Sequence, residues 1–235
     1  MDKDYLERGY LSKMNCKWRL LLAVVIILIL CGTTYFIYNR PKEQGVKLKL
    51  SDGIKISVYY EALCPDSKHF VSRQLLPLYQ KIPQHITLDL IPYGKAQTIE
   101  NEGAINFKCQ HDEIECYANK IHACVIDMVK DPLIQLNYVA CMIRNNHNPD
   151  VICKICGEEN KVDFNPILNC AKGNEGSLLL KEHGIKTHAL NPAASFIPTV
   201  ELNNSQNIVP LSSILKNLQD AVCGLFNDKP SGCDD

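Results

Sequence analysis

The chain has almost no net charge: 25 lysines and arginines stand against 26 aspartates and glutamates, a formal balance of −1 at pH 7. Without a basic excess there is no electrostatic case for a nucleic-acid partner. One Asn-x-Ser acceptor, Asn203-Asn204-Ser205, is the only candidate for N-glycosylation. Cys153-Lys154-Ile155-Cys156 is a Cys-x-x-Cys pair, but the second half of a standard zinc spacing is missing. A set drawn from Cys109, His111, Cys153 and Cys156 does not follow from it, and neither metal nor cofactor is expected. Charge is also missing from residues 20–37. Cysteine is plentiful, with twelve in 235 residues. That density points to an oxidising compartment, where disulfides persist. The length, with 46% apolar and 22% charged residues, suits one ordinary domain plus extras.

The stretch Tyr59-Tyr60-Glu61-Ala62-Leu63-Cys64-Pro65-Asp66-Ser67-Lys68-His69-Phe70 organises the rest. Ile54, Ile56, Val58 and Tyr60 alternate as in a strand, and Phe70, Val71, Leu75, Leu76 and Tyr79 recur at helical spacing. Cys64 therefore lies between a strand and a helix start, with Pro65 suited to the first helical position. Helix N-termini favour thiolate over thiol, and the thiolate is the nucleophile. This is the geometry of a thiol–disulfide oxidoreductase. The place for a second cysteine, three residues on, holds Ser67.

In chain order, residues 1–19 form a polar tail on the cytosolic side. Residues 20–38 read as a transmembrane signal-anchor, with a cleaved signal peptide as the alternative. Ten of the twelve cysteines follow this segment, which places that side in the lumen or outside the cell. A single-pass membrane protein is the expectation, or a secreted one if the segment is cleaved. Cys16 is a juxtamembrane thiol, with palmitoylation as its other reading. Residues 39–52 resemble a stalk. The domain runs over 53–226, with its first helix ending by Pro83 and a second strand at Ile86, Leu88 and Leu90. A cysteine-rich helical insertion covers about 101–190. Residues 196–202 form a late strand, 207–209 its return partner, and one last helix carries Leu211, Ile214, Leu215, Leu218 and Val222. A tail occupies 227–235. With the insertion removed, the order is that of an α/β thioredoxin-like fold, whose second landmark is the Ile197-Pro198 step.

Residues 109–124 carry Cys109, Gln110, His111, Glu115, Cys116, Asn119 and Cys124 at the spacing C-Q-H-x-x-x-E-C-x-x-N-x-x-x-x-C. This resembles the signature of the gamma-interferon-inducible lysosomal thiol reductase family, with Asp112 where the family has glycine. Tyr59 to Cys64, Pro92-Tyr93-Gly94-Lys95-Ala96-Gln97 and Ile197-Pro198 are similar as well. The resemblance spans about residues 54–233. It implies a lumenal reductase of protein disulfides in endosomes and lysosomes, a catalytic Cys64, and a cis Pro198 facing it. The family's catalytic motif is Cys-x-x-Cys, so Ser67 is a departure.

Cys64 can attack a substrate disulfide, but Ser67 cannot resolve the product, because a hydroxyl forms no sulfur–sulfur bond. Ser67 either tunes the thiolate or is a plain helix-start hydroxyl. An external thiol, such as glutathione or free cysteine, or a substrate thiol must complete the cycle. The expected partners are disulfide-containing proteins and, through the N-terminal helix, the membrane. The alternative is a degenerate member that captures unfolded or cysteine-bearing clients without turnover. A third reading is a scaffold module. Cys109, Cys116, Cys124, Cys141, Cys153, Cys156, Cys170, Cys223 and Cys233 are candidates for structural disulfides. They number nine, so a free Cys64 leaves at least one of them without an intrachain partner. Cys153-x-x-Cys156 is read as two staples rather than a relay to Cys64. His111 is read as tying the insertion to the core.

Overall fold

The computed structural model describes residues 15–38, 50 and 53–234. The chain divides into two units, residues 1–44 and 45–235. The described part of the first is one helix, α1 (Cys16–Tyr38). No helix among the described residues is long and apolar enough to cross a membrane. This corrects the transmembrane anchor at 20–38, the single-pass placement and the membrane partner drawn from it. Residues 1–14 of the expected tail, most of the stalk and the side chain of Cys16 lie outside the described residues.

The second unit is mixed α/β. Strand β1 (Ile54–Tyr60) is central, parallel to β2 (Ile86–Pro92) and antiparallel to β5 (Thr199–Leu202). Flanked on both edges and covered on both faces, β1 buries six of its seven residues, including Ser57 and Tyr59. A separate hairpin joins β3 (Gln97–Asn101) to β4 (Ala104–Lys108). Its two-residue turn, Glu102-Gly103, has φ of 49° and 86°, the double positive φ of a type I′ connection.

After β1 come α2 (Pro65–Phe70), a π-helical turn (Val71–Leu75) and α3 (Leu76–Lys81). The expected helix is present and stops before Pro83, but Pro77 lies inside it. Without an N–H, Pro77 cannot donate to the carbonyl four residues back, and the π turn sits directly N-terminal to α3, whose second residue is Pro77. Five helices make the insertion: α4 (Asp112–Met128), α5 (Pro132–Ile143), α6 (Pro149–Asn160), α7 (Phe164–Lys172) and α8 (Asn174–His188).

The expected return strand at 207–209 is absent. Asn203 and Asn204 turn the chain in left-handed conformations, and only Ser205 pairs back, on Leu202. Asn203 Oδ1 accepts from Lys55 N at 2.8 Å, so the glycosylation candidate also anchors the turn to β1. The single last helix is two, α9 (Leu211–Lys216) and α10 (Leu218–Cys223). Asn217 is extended between them and caps α10 through its side chain. Gln74 serves both broken ends, donating to Leu215 O at 2.6 Å and accepting from Leu218 N at 2.8 Å.

Disulfides join Cys109 to Cys116, Cys124 to Cys170, Cys141 to Cys156, and Cys223 to Cys233. They tie α4 to α7, α5 to α6, and α10 to the tail. The Cys124–Cys170 bridge spans 46 residues. A closure of that size restricts the unfolded chain by about 4 kcal/mol in the chain-entropy picture. Cys153 differs from expectation: it is a free, fully buried thiol. Only one member of the Cys153-x-x-Cys156 pair is a staple. Tyr138 lies 3.3 Å from the Cys153 sulfur, and burial pushes its thiol up to about 11.

Candidate active site

Strand β1 delivers Tyr60 to the floor of the site, and the chain then turns through Glu61, Ala62 and Leu63 into Cys64. Cys64 is extended at the N-cap of α2, with Pro65 in the first turn. Its side chain is 7% exposed, covered but within reach of solvent. The thiol donates to Ile197 O at 3.6 Å, the carbonyl of the step into Pro198. That Ile197–Pro198 bond is cis. Residues 64 and 198, far apart in sequence, meet at one point. Ser67 is fully buried, and its hydroxyl accepts from Glu61 N at 3.3 Å. It therefore belongs to the hydrogen bonding of the turn itself.

The signature residues grip this turn from α4. Asn119 Oδ1 accepts from Ala62 N at 2.9 Å, and Glu115 Oε2 accepts from Leu63 N at 3.3 Å. His111 Nδ1 lies 2.6 Å from Glu115 Oε2, and His111 N donates to Glu115 Oε1 at 3.1 Å. The Cys109–Cys116 bridge fixes the loop carrying His111 against the first turn of α4. Asp112, where the family signature has glycine, has φ of 64°. Glycine adopts that region freely, whereas other residues are strained by about 1–2 kcal/mol, aspartate less than most. Gln110 is exposed and makes no hydrogen bond among the described residues. Cys124 lies deeper, in the bridge to Cys170.

Asn119→Ala would leave the buried Ala62 N–H without its acceptor. A loss of about 1–3 kcal/mol of unfolding free energy is expected. Chemical denaturation measures it, and a change within about 0.5 kcal/mol would mean that the turn does not depend on this bond.

Three site residues were not singled out from sequence. Glu61 is fully buried, accepts from Lys95 N at 2.7 Å, and has Oε2 3.8 Å from His111 Nδ1. Oε2 has no hydrogen-bond partner. Burial raises the Glu61 carboxyl, Lys95 N–H opposes this, and Glu115 adds to the rise. Gly94 makes room for it: a Cβ there would sit 2.1 Å from Glu61 Cγ. Glu61, His111 and Glu115 each offer one ligand atom within 4.8 Å of the others. This arrangement can share a proton or hold a cation.

Asn146 Nδ2 donates to Ala62 O at 3.2 Å and lies 3.0 Å from His122 Nε2. The neutral His122 ring thus carries its proton on Nδ1, 3.0 Å from Tyr60 Oη. In the sequence His122 falls in a helical period and Asn146 in an asparagine-rich turn, and nothing aims either at residue 62.

Burial lowers His122 from 6.5 to about 3. Between those values the unfolded chain binds the extra proton, so stability falls as pH drops through the window. From pH 7 to 4.5 this one residue is expected to remove about 2–3 kcal/mol. Burial also lowers His183, to about 4, which adds a similar slope. Urea unfolding at both pH values tests this. His122→Gln should flatten the dependence by about the stated amount, and an unchanged slope would exclude His122 as its source.

Two grooves flank the start of α2. One is lined by Phe70, Phe196, Pro198 and Leu215, with Asp66, His69 and Gln74. The other is lined by Pro65, His69, Leu76 and Ala140 together with Lys68, Ser72, Arg73 and Arg144.

The family model for gamma interferon inducible lysosomal thiol reductase (GILT) matches residues 55–160. A gamma-interferon-inducible lysosomal thiol reductase-like protein of Anopheles gambiae is 32% identical over 192 residues, covering 77% of this chain and 80% of that protein. A GILT-like protein of Caenorhabditis elegans is 34% identical, covering 85% and 61%. The gamma-interferon-inducible lysosomal thiol reductase of Mus musculus is 32% identical, covering 78% and 73%. Among solved structures, Chlamydia trachomatis DsbA aligns at a TM-score of 0.49 with 16% identity, over 71% of this chain and 86% of that one.

Proposed function

Because the chain belongs to the gamma-interferon-inducible lysosomal thiol reductase family, we propose that it reduces protein disulfides through Cys64 alone, on a thioredoxin-like frame. The observation that carries this reading is the thiol at the strand–helix turn, under the carbonyl of the cis Ile197–Pro198 step, with a hydroxyl at position 67. The Cys64 thiolate attacks one sulfur of a substrate disulfide. The Cys64–substrate bond forms, and the other substrate sulfur leaves as a thiolate and takes a proton. An external thiol then completes the exchange. Extended polypeptide fits the apolar groove beside Pro198, where Phe196 is exposed.

Ser67 also supports a second reading, in which the adduct is retained and the protein captures clients. One experiment separates the two. The full chain is mixed with a labelled protein disulfide, and the Cys64 adduct is followed by mass spectrometry before and after addition of glutathione or free cysteine. Reduction predicts an adduct that forms and is then discharged, with Cys64 returned. Capture predicts an adduct that survives millimolar thiol. No adduct on Cys64 excludes both.

A further inference from the structure

We propose that the basic groove beside Cys64 seats the resolving thiol, and that this thiol is a small molecule carrying two carboxylates, of the glutathione class. The inference rests on the single-cysteine reading above and names the co-substrate of that site.

Positions 65, 68, 69, 72, 73 and 76 follow helical spacing and present one face of the α2–π–α3 segment. Ala140 and Arg144, four apart at the end of α5, close the opposite wall. Four cationic or protonatable side chains, Lys68, His69, Arg73 and Arg144, converge there, and no carboxylate lines the groove. Among the described residues none of the four makes an ion pair. Lys55, Lys172, Lys181 and Lys186 elsewhere each have an acidic partner. Ser72 Oγ, also in the lining, has no hydrogen-bond partner. The groove is therefore an unneutralised basic surface, with guanidinium groups suited to paired contacts with carboxylates.

Its volume, about 640 Å³, is that of a small-molecule site. The groove at Pro198 is lined by Phe70, Phe196, Pro198 and Leu215 with Asp66 and Gln74, and the two share His69. Two grooves of different character thus lie along the start of the helix that Cys64 caps, one for each reactant.

The chemistry closes without any other reductant. A glutathione thiolate attacks the Cys64 sulfur of the mixed disulfide, and the substrate leaves as a thiolate. A second glutathione thiolate attacks the glutathione sulfur of the new adduct. The Cys64 thiolate is released and oxidised glutathione departs. Two thiols supply the two electrons that reduce one substrate disulfide.

The test starts from full-length protein carrying a labelled peptide on Cys64. Release is timed with glutathione and with its diethyl ester, compared at equal thiolate concentration. The expected ratio is about tenfold in favour of glutathione at low salt, shrinking as salt rises. In the doubly substituted Arg73→Ala, Arg144→Ala protein the ratio is expected to fall towards one. Both arginines are exposed, so their removal does not threaten the fold. Equal rates for the two thiols, or a ratio indifferent to the substitutions, would overturn the proposal. Failure to load Cys64 at all would instead overturn the single-cysteine reading. Binding of S-methylglutathione to the Cys64→Ser chain, by calorimetry, judges the groove in that case: binding lost with the two arginines supports it, and no binding ends it.

Discussion

Cys64→Ser is expected to abolish adduct formation and disulfide cleavage, lowering the rate at least about a thousandfold. The replacement keeps the shape of the side chain and a donor towards Ile197 O, so the fold has no reason to suffer. What disappears is the sulfur that, in the proposed reaction, forms the mixed disulfide. No other described cysteine is placed to substitute for it. Cys153 is fully buried among apolar side chains, and its thiol is pushed up to about 11. At pH 7 only about one molecule in ten thousand would carry it as thiolate. Cys31 is free and lies in the other unit, on α1. Loss of free-thiol counts and of insulin-type disulfide cleavage are the measurements. Residual cleavage above about a tenth of the original would mean that the reaction does not run through Cys64.

Ser67→Cys should have the opposite character. It restores a second sulfur three residues from Cys64 and turns resolution into an intramolecular step. Effective concentrations for such steps exceed millimolar external thiol by orders of magnitude. The labelled adduct is therefore expected to decay about a hundredfold faster or more, at a rate independent of added glutathione. The thiol is a poorer acceptor than the hydroxyl for Glu61 N, now at 3.3 Å from Ser67 Oγ. A loss of about 1 kcal/mol in stability should accompany the gain. Decay that still scales with external thiol would mean that position 67 does not face the mixed disulfide, and that the serine is not what limits turnover.

The sequence is informative wherever one residue type has one local reason to be there. The alternation of Ile54, Ile56, Val58 and Tyr60, the cysteine before Pro65, and the helical character of the cysteine-rich insertion all correspond to elements in the fold. Misreadings arise where two rules compete. Gln97 to Lys108 mixes polar and apolar residues, and its hairpin turn is Glu-Gly, not the stronger Asn-Gly, so the sequence does not mark β3 and β4 as strands. Ile208 and Val209 have strand propensity, but the Asn203-Asn204 turn pairs only Ser205 before the chain leaves the sheet. Asn217 lies within an apolar helical period that hides a capping residue. The free thiol of Cys153 was open from parity alone, since pairing partners are not legible from spacing. His122 and Asn146 act on Tyr60 and Ala62 from far along the chain, and Glu61, inside the turn, acts through Lys95 and His111; nothing local marks any of the three.

The hydrogen bonds around Cys64 also have an order in time. Its turn is held by Glu115, Asn119 and Asn146, which lie 52, 57 and 84 residues from their partners in the turn. The carbonyl over its sulfur lies 133 residues further along the chain. Synthesis from the N-terminus presents Cys64 first and its covering groups long afterwards. Of the eight bridging cysteines, six emerge before Ile197 does. Three whole bridges can therefore close before the chain reaches the carbonyl that covers Cys64, and the cover over this free thiol depends on the last strand being in place.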